Sequence, residues 1–260
     1  MKKLINYLFY LIIALSAVFI TNNVVNFSKK IFILNEVQSR ASIRSVLMLE
    51  PVVRLSQIYY EIEDANGDLQ SSEGAIFATG FSIGYDQKTD ETTILTNDHF
   101  CNSFKENRAL IVEDYLGEIV FGIERGIDDL ILSTREDMDL CAIKIKGYVR
   151  PAELKPKDYH PILFEEIFVV GGPAGDFPII IDTYLSSKIK RDKIASGNLN
   201  SLSPLGNDFL MISEQVFPGH SGSPIYSKDG EVIGIVFGAL RSYGGLGASH
   251  NDIHSFLEDL

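Results

Sequence analysis

Residues 217–238 read FPGHSGSPIYSKDGEVIGIVFG, and this stretch decides the architecture of the chain. Ser221 stands among glycines and small residues, in Gly219-His220-Ser221-Gly222-Ser223-Pro224. Ile225 and Tyr226 then lead into Ser227-Lys228-Asp229-Gly230, and an apolar run follows from Val232 to Phe237. Asp-Gly between two apolar runs predicts a β-hairpin with positive φ at both central turn positions. The serine is therefore expected on a tight glycine-rich loop that feeds a hairpin. Glycine lets backbone N–H groups turn inward and converge. Two such donors beside a Ser Oγ make an oxyanion hole for acyl transfer.

The same context excludes a strand–serine–helix elbow. That motif needs Gly-x-Ser-x-Gly ahead of a helix, whereas Ser223 stands two residues after Ser221 and Pro224 opens a strand. A serine is a weak nucleophile until a base takes its proton and a third group orients the base. His99 stands just after the β-branched run Thr93-Ile94-Leu95-Thr96, and Asp139 heads the apolar run from Leu140 to Ile145. The chain order is His, Asp, Ser. Taken singly, each residue has a plain structural reading: a core histidine, a strand-capping aspartate, a turn serine. Their joint order and context point instead to a nucleophilic site. His160, His250 and His254 read as structural or surface residues, and His220 as an incidental neighbour of Ser221.

At these segments the chain resembles the trypsin-like serine endopeptidases of the chymotrypsin fold. Thr96-Asn97-Asp98-His99 fits the family's Thr-x-x-His, Asp139 to Lys144 fits its Asp-led strand ending in Lys, and Gly219 to Pro224 fits its serine motif. Ala78-Thr79-Gly80-Phe81 resembles the strand upstream of the base, and Val169 to Gly175 the strand-turn opening the second barrel in bacterial members. In motif form the likeness is to bacterial glutamyl endopeptidases and high-temperature-requirement proteases. It implies an all-β fold: two six-stranded antiparallel β-barrels with the active site between them, and a C-terminal helix. It implies catalysis by His99, Asp139 and Ser221, with the Gly219 and Ser221 N–H groups as oxyanion donors. It implies that Val236, Phe237, Gly238 and Ala239 receive the substrate, and that Gln215 lies at the pocket floor. It requires no cofactor and no metal. Three positions depart from relatives. Val236 stands where glutamyl endopeptidases carry a histidine, His220 where digestive enzymes carry an aspartate, and Gln215 where a Lys/Arg-selective pocket carries one.

The resemblance makes His99 and Asp139 neighbours. Cys101 and Cys141 each lie two residues beyond one of them, which leaves two readings, a disulfide or two buried free thiols. They are the only cysteines in 260 residues. The net charge of −12 and pI of about 4.8 argue against a nucleic-acid partner.

Residues 1–28 carry Lys2 and Lys3 ahead of an uncharged stretch, Leu4 to Ser28, with an apolar part of the length of a membrane-crossing helix. An anchoring hydrophobic helix is expected, with a signal peptide cut after Ala14-Leu15-Ser16 as the alternative. Both place the remainder outside the cytoplasm, membrane-anchored in one case and secreted or periplasmic in the other. Residues 29–50 predict a helical spacer or self-association helix ended by Pro51. Residues 51–150 are assigned to the first barrel and 151–260 to the second, joined by a linker holding Pro151, Pro156 and Pro161. Strands are expected over 52–62, 76–83, 92–96, 110–113, 118–123 and 140–145, then 166–170, 179–185, 188–194, 209–213 and 232–237, with a helix over 251–260. The function expected is peptide-bond hydrolysis on a protein or peptide substrate. The alternatives are a latent membrane-tethered peptide-binding module and an esterase-type acyl hydrolase.

Overall fold

The computed structural model describes residues 43–59, 62–63, 69–70, 74–104, 108–124, 127–190, 208–240 and 244–260. The expected anchor and residues 29–42 of the spacer lie outside the described residues, as do 191–194 of one expected strand. No helix among the described residues is long and apolar enough to cross a membrane. The chain divides into two units, Met1–Val46 and Leu47–Leu260, and both large sheets belong to the second.

Helix α1 (Ile43–Leu49) ends before Pro51, whose ring forbids helical continuation. Strands β1 (Val52–Tyr59), β4 (Gly74–Asp86), β5 (Glu91–Thr96), β6 (Arg108–Glu113), β7 (Ile119–Ile123), β8 (Ile131–Arg135) and β9 (Leu140–Lys146) follow, with a two-stranded pair β2 (Ile62–Glu63) and β3 (Leu69–Gln70). The first sheet has seven strands in the order β7-β6-β1-β4-β5-β9-β8, rather than the six expected. The extra strand, β8, reads Ile-Leu-Ser-Thr-Arg, too short and mixed to signal itself. It is ordered by pairing along β9 from Ile131↔Ile143 to Arg135↔Leu140. Its core takes alternate residues, Val53 and Leu55 from β1, Leu110 and Val112 from β6, Ile143 and Ile145 from β9. Each such fully buried side chain contributes about 1.5–3 kcal/mol.

The second sheet is a closed six-stranded barrel: β10 (Glu166–Gly171), β11 (Ile179–Lys190), β12 (Asp208–Ile212), β15 (Gly244–Ser249), β14 (Val232–Leu240) and β13 (Pro224–Ser227). The strands expected over 179–185 and 188–194 are one strand, bent by a bulge between Leu185 and Ser187 where the Ser186 hydroxyl donates to Met211 O at 2.9 Å. At the β13–β14 turn only Gly230 carries a positive φ, 85°, so the expectation of two is corrected. A single left-handed glycine closing a bulged hairpin replaces the two-residue mirror turn. Strand β15, Gly-Gly-Leu-Gly-Ala-Ser, has the composition of a loop. Glycine is required there: a Cβ on Gly247 would lie 2.5 Å from Ile225 Cδ1 and 2.8 Å from Ile235 O.

The linker lies along the second barrel, with Lys155 N donating to Val232 O at 2.9 Å and Val232 N to Glu153 O at 2.7 Å. Helix α3 (His250–Glu258) starts at a capping box in which the Ser249 side chain accepts from Asp252 N and Asp252 accepts from Ser249 N. Ile253 and Phe256 on its inner face are fully buried.

Candidate active site

Strand β5 ends at Thr96, and the chain turns at Asn97 into the single helical turn α2 (Asp98–Cys101). This abrupt strand-to-helix corner brings His99 to the surface while Asp98, Phe100 and Cys101 point inward. Asp139 occupies the last position of the turn before β9, in the left-handed region at φ 52°. Aspartate is among the few residues that tolerate this conformation. Asn97 Nδ2 donates to Asp139 O at 2.9 Å, which binds the two corners together.

The structure brings the three sequence-predicted residues into one chain of hydrogen bonds. His99 Nδ1 lies 2.8 Å from Asp139 Oδ2, the His99 backbone N donates to Asp139 Oδ1 at 2.9 Å, and His99 Nε2 lies 3.1 Å from Ser221 Oγ. A carboxylate only accepts, so the Nδ1 contact assigns the ring proton to Nδ1 and leaves Nε2 free to accept from the Ser221 hydroxyl. The Asp139 side chain is 13% exposed and that of His99 50%, which leaves the imidazole reachable and its partner shielded. Cys101 and Cys141 form a disulfide that joins α2, which carries His99, to the head of β9, directly after Asp139. Asp98 accepts from Asn102 Nδ2 at 2.6 Å. Burial first, then the charges of Asp139 and Glu136, push its carboxyl above the usual carboxylate range.

The loop of Ser221 takes its shape from two left-handed glycines, Gly219 at φ 100° and Gly222 at φ 84°. A Cβ on Gly222 would fall 1.9 Å from Thr79 O, so only glycine allows the loop to approach β4. Thr79 is the anchor. Its N–H donates to Ser221 O at 2.8 Å, its hydroxyl donates to Gly219 O at 2.8 Å, and that hydroxyl also accepts from Gly172 N at 3.1 Å. Its own carbonyl accepts from the Thr96 hydroxyl at 2.8 Å. Pro218 O accepts from Ala174 N at 2.7 Å, and His220 O from Ser223 N at 2.9 Å. Among the described residues, the N–H groups of Gly219 and Ser221 have no backbone acceptor.

The expected substrate-binding positions separate. Gln215 is exposed, Ala239 is exposed, and Gly238 and Phe237 are progressively more buried on the part of β14 that runs beyond the end of β13. Val236 is corrected: its side chain is fully buried in the core of the second barrel, and its N–H and C=O are taken by Ser223 O and Gly222 N at 2.8 Å each. His220 is buried rather than incidental, with Phe217 N donating to its Nδ1 at 3.2 Å. Burial lowers its pKa, opposed by the Phe217 carbonyl, which lies 3.2 Å from the same Nδ1. The sequence marks no positioning role for Thr79, Thr96, Asn97 or Arg54, although Thr96 and Asn97 stand in the Thr-x-x-His motif. Thr79 lies inside the quoted Ala-Thr-Gly-Phe motif, which was its one signal. Among the described residues, no group of three or more His, Cys, Asp or Glu side chains is arranged to hold a metal ion.

Comparison with known proteins bears on the family and the fold of the chain. Residues 78–235 match the model of the trypsin-like peptidase domain, more than half of the chain. A plant relative, Protease Do-like 2, chloroplastic, from Arabidopsis thaliana, is 28% identical over 106 residues, covering 41% of this chain and 16% of its own length. The chain thus spans a small part of that relative. Among solved structures, the HtrA-type protease AlgW with a tripeptide superposes with a TM-score of 0.63 at 15% identity, over 83% of this chain and 62% of that one. The active form of the Rv3671c protease from M. tuberculosis gives 0.62 at 17% identity, over 83% and 82%. At these identities the two structures bear on fold, and the matched domain model bears on kinship: the chain belongs to the trypsin-like peptidase family.

Proposed function

We propose that this chain is a serine endopeptidase that cleaves peptide bonds through His99, Asp139 and Ser221. The observation that carries the reading is the unbroken hydrogen-bond chain from Asp139 through His99 to Ser221 Oγ. Ser221 Oγ attacks the carbonyl carbon as its proton passes to His99 Nε2. Asp139 orients the ring and stabilises the positive charge it acquires. The oxyanion formed is received by the Gly219 and Ser221 N–H groups. The tetrahedral intermediate collapses as His99 returns the proton to the leaving amine, and water then hydrolyses the acyl-enzyme by the same route. The outer edge of Phe237, Gly238 and Ala239 takes an extended protein or peptide substrate as an added strand, with Gln215 at the pocket.

Residues 1–28 anchor the chain in a membrane with the protease portion outside the cytoplasm. The uncharged stretch after Lys2 and Lys3 supports the anchor, and the Cys101–Cys141 disulfide supports an oxidising compartment.

A fluorophosphonate probe tests the reading. Stoichiometric labelling mapped to Ser221, absent in Ser221→Ala, is expected. A well-folded chain that the probe leaves unlabelled would overturn it.

A further inference from the structure

An oxyanion hole works only if its donors already point at the developing charge. A trans peptide is planar, so its C=O and N–H point opposite ways. The direction of the Gly219 N–H is therefore set by whatever grips Pro218 O, and that is the N–H of Ala174 at 2.7 Å. Ala174 belongs to the turn Gly172–Asp176 and sits in the left-handed region at φ 51°, a conformation that an alanine keeps only when its surroundings impose it.

The surroundings come from the other sheet. Arg54 on β1 donates from Nη1 to Gly175 O at 2.6 Å. The Phe77 ring lies against Gly175, where a Cβ would meet it at 3.2–3.3 Å, and the Arg54 guanidinium sits 5.9 Å from the centre of that ring. The guanidinium is itself aimed. Its Nε and Nη2 both donate to Glu113 Oε2, at 2.8 and 2.5 Å, and Glu113 is the residue directly opposite Arg54 across β1 and β6. Arg54 and Glu113 touch none of the three catalytic side chains, and the proposed chemistry gives this ion pair no part.

We propose that Arg54 is a positioning residue for catalysis: held by Glu113, it fixes the Gly172–Asp176 turn, and through Ala174 that turn aims the Gly219 N–H at the oxyanion. The inference rests on the endopeptidase reading above. Glu113 and Arg54 thus form a lever in the first sheet whose end is the oxyanion hole of the second. Loss of the lever leaves the nucleophile and base in place and turns one donor aside.

The test uses the full chain and p-nitrophenyl acetate, which acetylates Ser221 with release of p-nitrophenolate; the burst separates the acetylation rate constant from the affinity for the ester. Arg54→Met is expected to slow acetylation about tenfold, a fraction of the loss that follows complete removal of a donor, with ester affinity unchanged. Arg54→Lys keeps one donor for Gly175 O and is expected to recover part of the rate. Glu113→Gln preserves shape, so it provides the same test should Arg54→Met fold poorly, and a smaller loss of rate with unchanged affinity is expected. Acetylation of folded Arg54→Met and Glu113→Gln at the wild-type rate would overturn the inference. So would a parallel loss of rate, ester affinity and thermal midpoint, the signature of a merely structural pair. Failure of the wild-type chain to acetylate or to accept the fluorophosphonate would sink the endopeptidase reading instead, so the two failures are distinguishable.

Discussion

The hydroxyl of Thr79, in the middle of the first sheet, donates to the carbonyl of Gly219, on the nucleophile loop of the second, across 2.8 Å. The bond is fully buried and crosses from one sheet to the other, so the position of the loop is a property of the pair of sheets. The Thr79 N–H adds a parallel tie to Ser221 O. Thr79→Val keeps the shape and removes the hydroxyl, stranding Gly219 O and Gly172 N. A stability loss of about 1–3 kcal/mol is expected, with Ser221 labelling slowed roughly 10- to 100-fold. Thr79→Ser should restore most of both. Denaturant unfolding and labelling rates check it.

Asp139→Asn is informative because asparagine also tolerates the left-handed backbone that φ 52° demands. The corner should persist while the ring loses the acceptor that keeps its proton on Nδ1. Acylation is expected to fall by about 10⁴ with the thermal midpoint nearly unchanged. Stopped-flow labelling beside a melting curve measures both.

The Cys101–Cys141 bridge closes a span of 40 residues. Its removal by a double Cys→Ser substitution is expected to cost about 2–4 kcal/mol, seen as a fall of roughly 5–15 °C in thermal midpoint. Thiol titration of the denatured, unreduced protein should find no free sulfhydryl. Two reactive thiols would contradict the bridge.

His220 gives the loop an acid sensitivity of definite sign. Burial holds its folded pKa below the ordinary 6.5. As pH falls through that value the unfolded chain takes up a proton that the folded loop refuses, so its stabilising contribution is complete above pH 6.5 and declines below it. Buried His250 acts in the same direction. His220→Asn, which keeps an acceptor for Phe217 N, should lose less of its thermal midpoint between pH 7.5 and 5.5 than the wild type does.

Gly222→Ala tests the closeness of the two sheets directly. A methyl group there would meet Thr79 O at 1.9 Å and would sit at φ 84°. The substitution is expected to cost about 2–4 kcal/mol or more and to abolish labelling, whereas Gly84→Ala, which meets nothing within 4 Å, should be mild.

Much of this protein was determined by sequence alone, because the features concerned are local. A glycine-flanked serine ahead of a hairpin, a histidine at a strand-to-helix corner and an aspartate heading a strand each announce themselves within a few residues, and so do apolar runs of strand length. Other features depend on partners distant in the chain. Strand β15 is half glycine and exists only because β12 and β14 close on either side of it. Strand β8 exists by virtue of β9. Val236 was expected to receive the substrate, yet its N–H and C=O are taken by Ser223 and Gly222 of the nucleophile loop. Only the tertiary structure decided where Thr79 and Arg54 act, for a threonine or an arginine in a strand carries no mark of the backbone it will grip more than a hundred residues away. The chemistry resides in residue types that sequence displays; the aim of that chemistry resides in hydrogen bonds between sheets, which come into being only when both have folded.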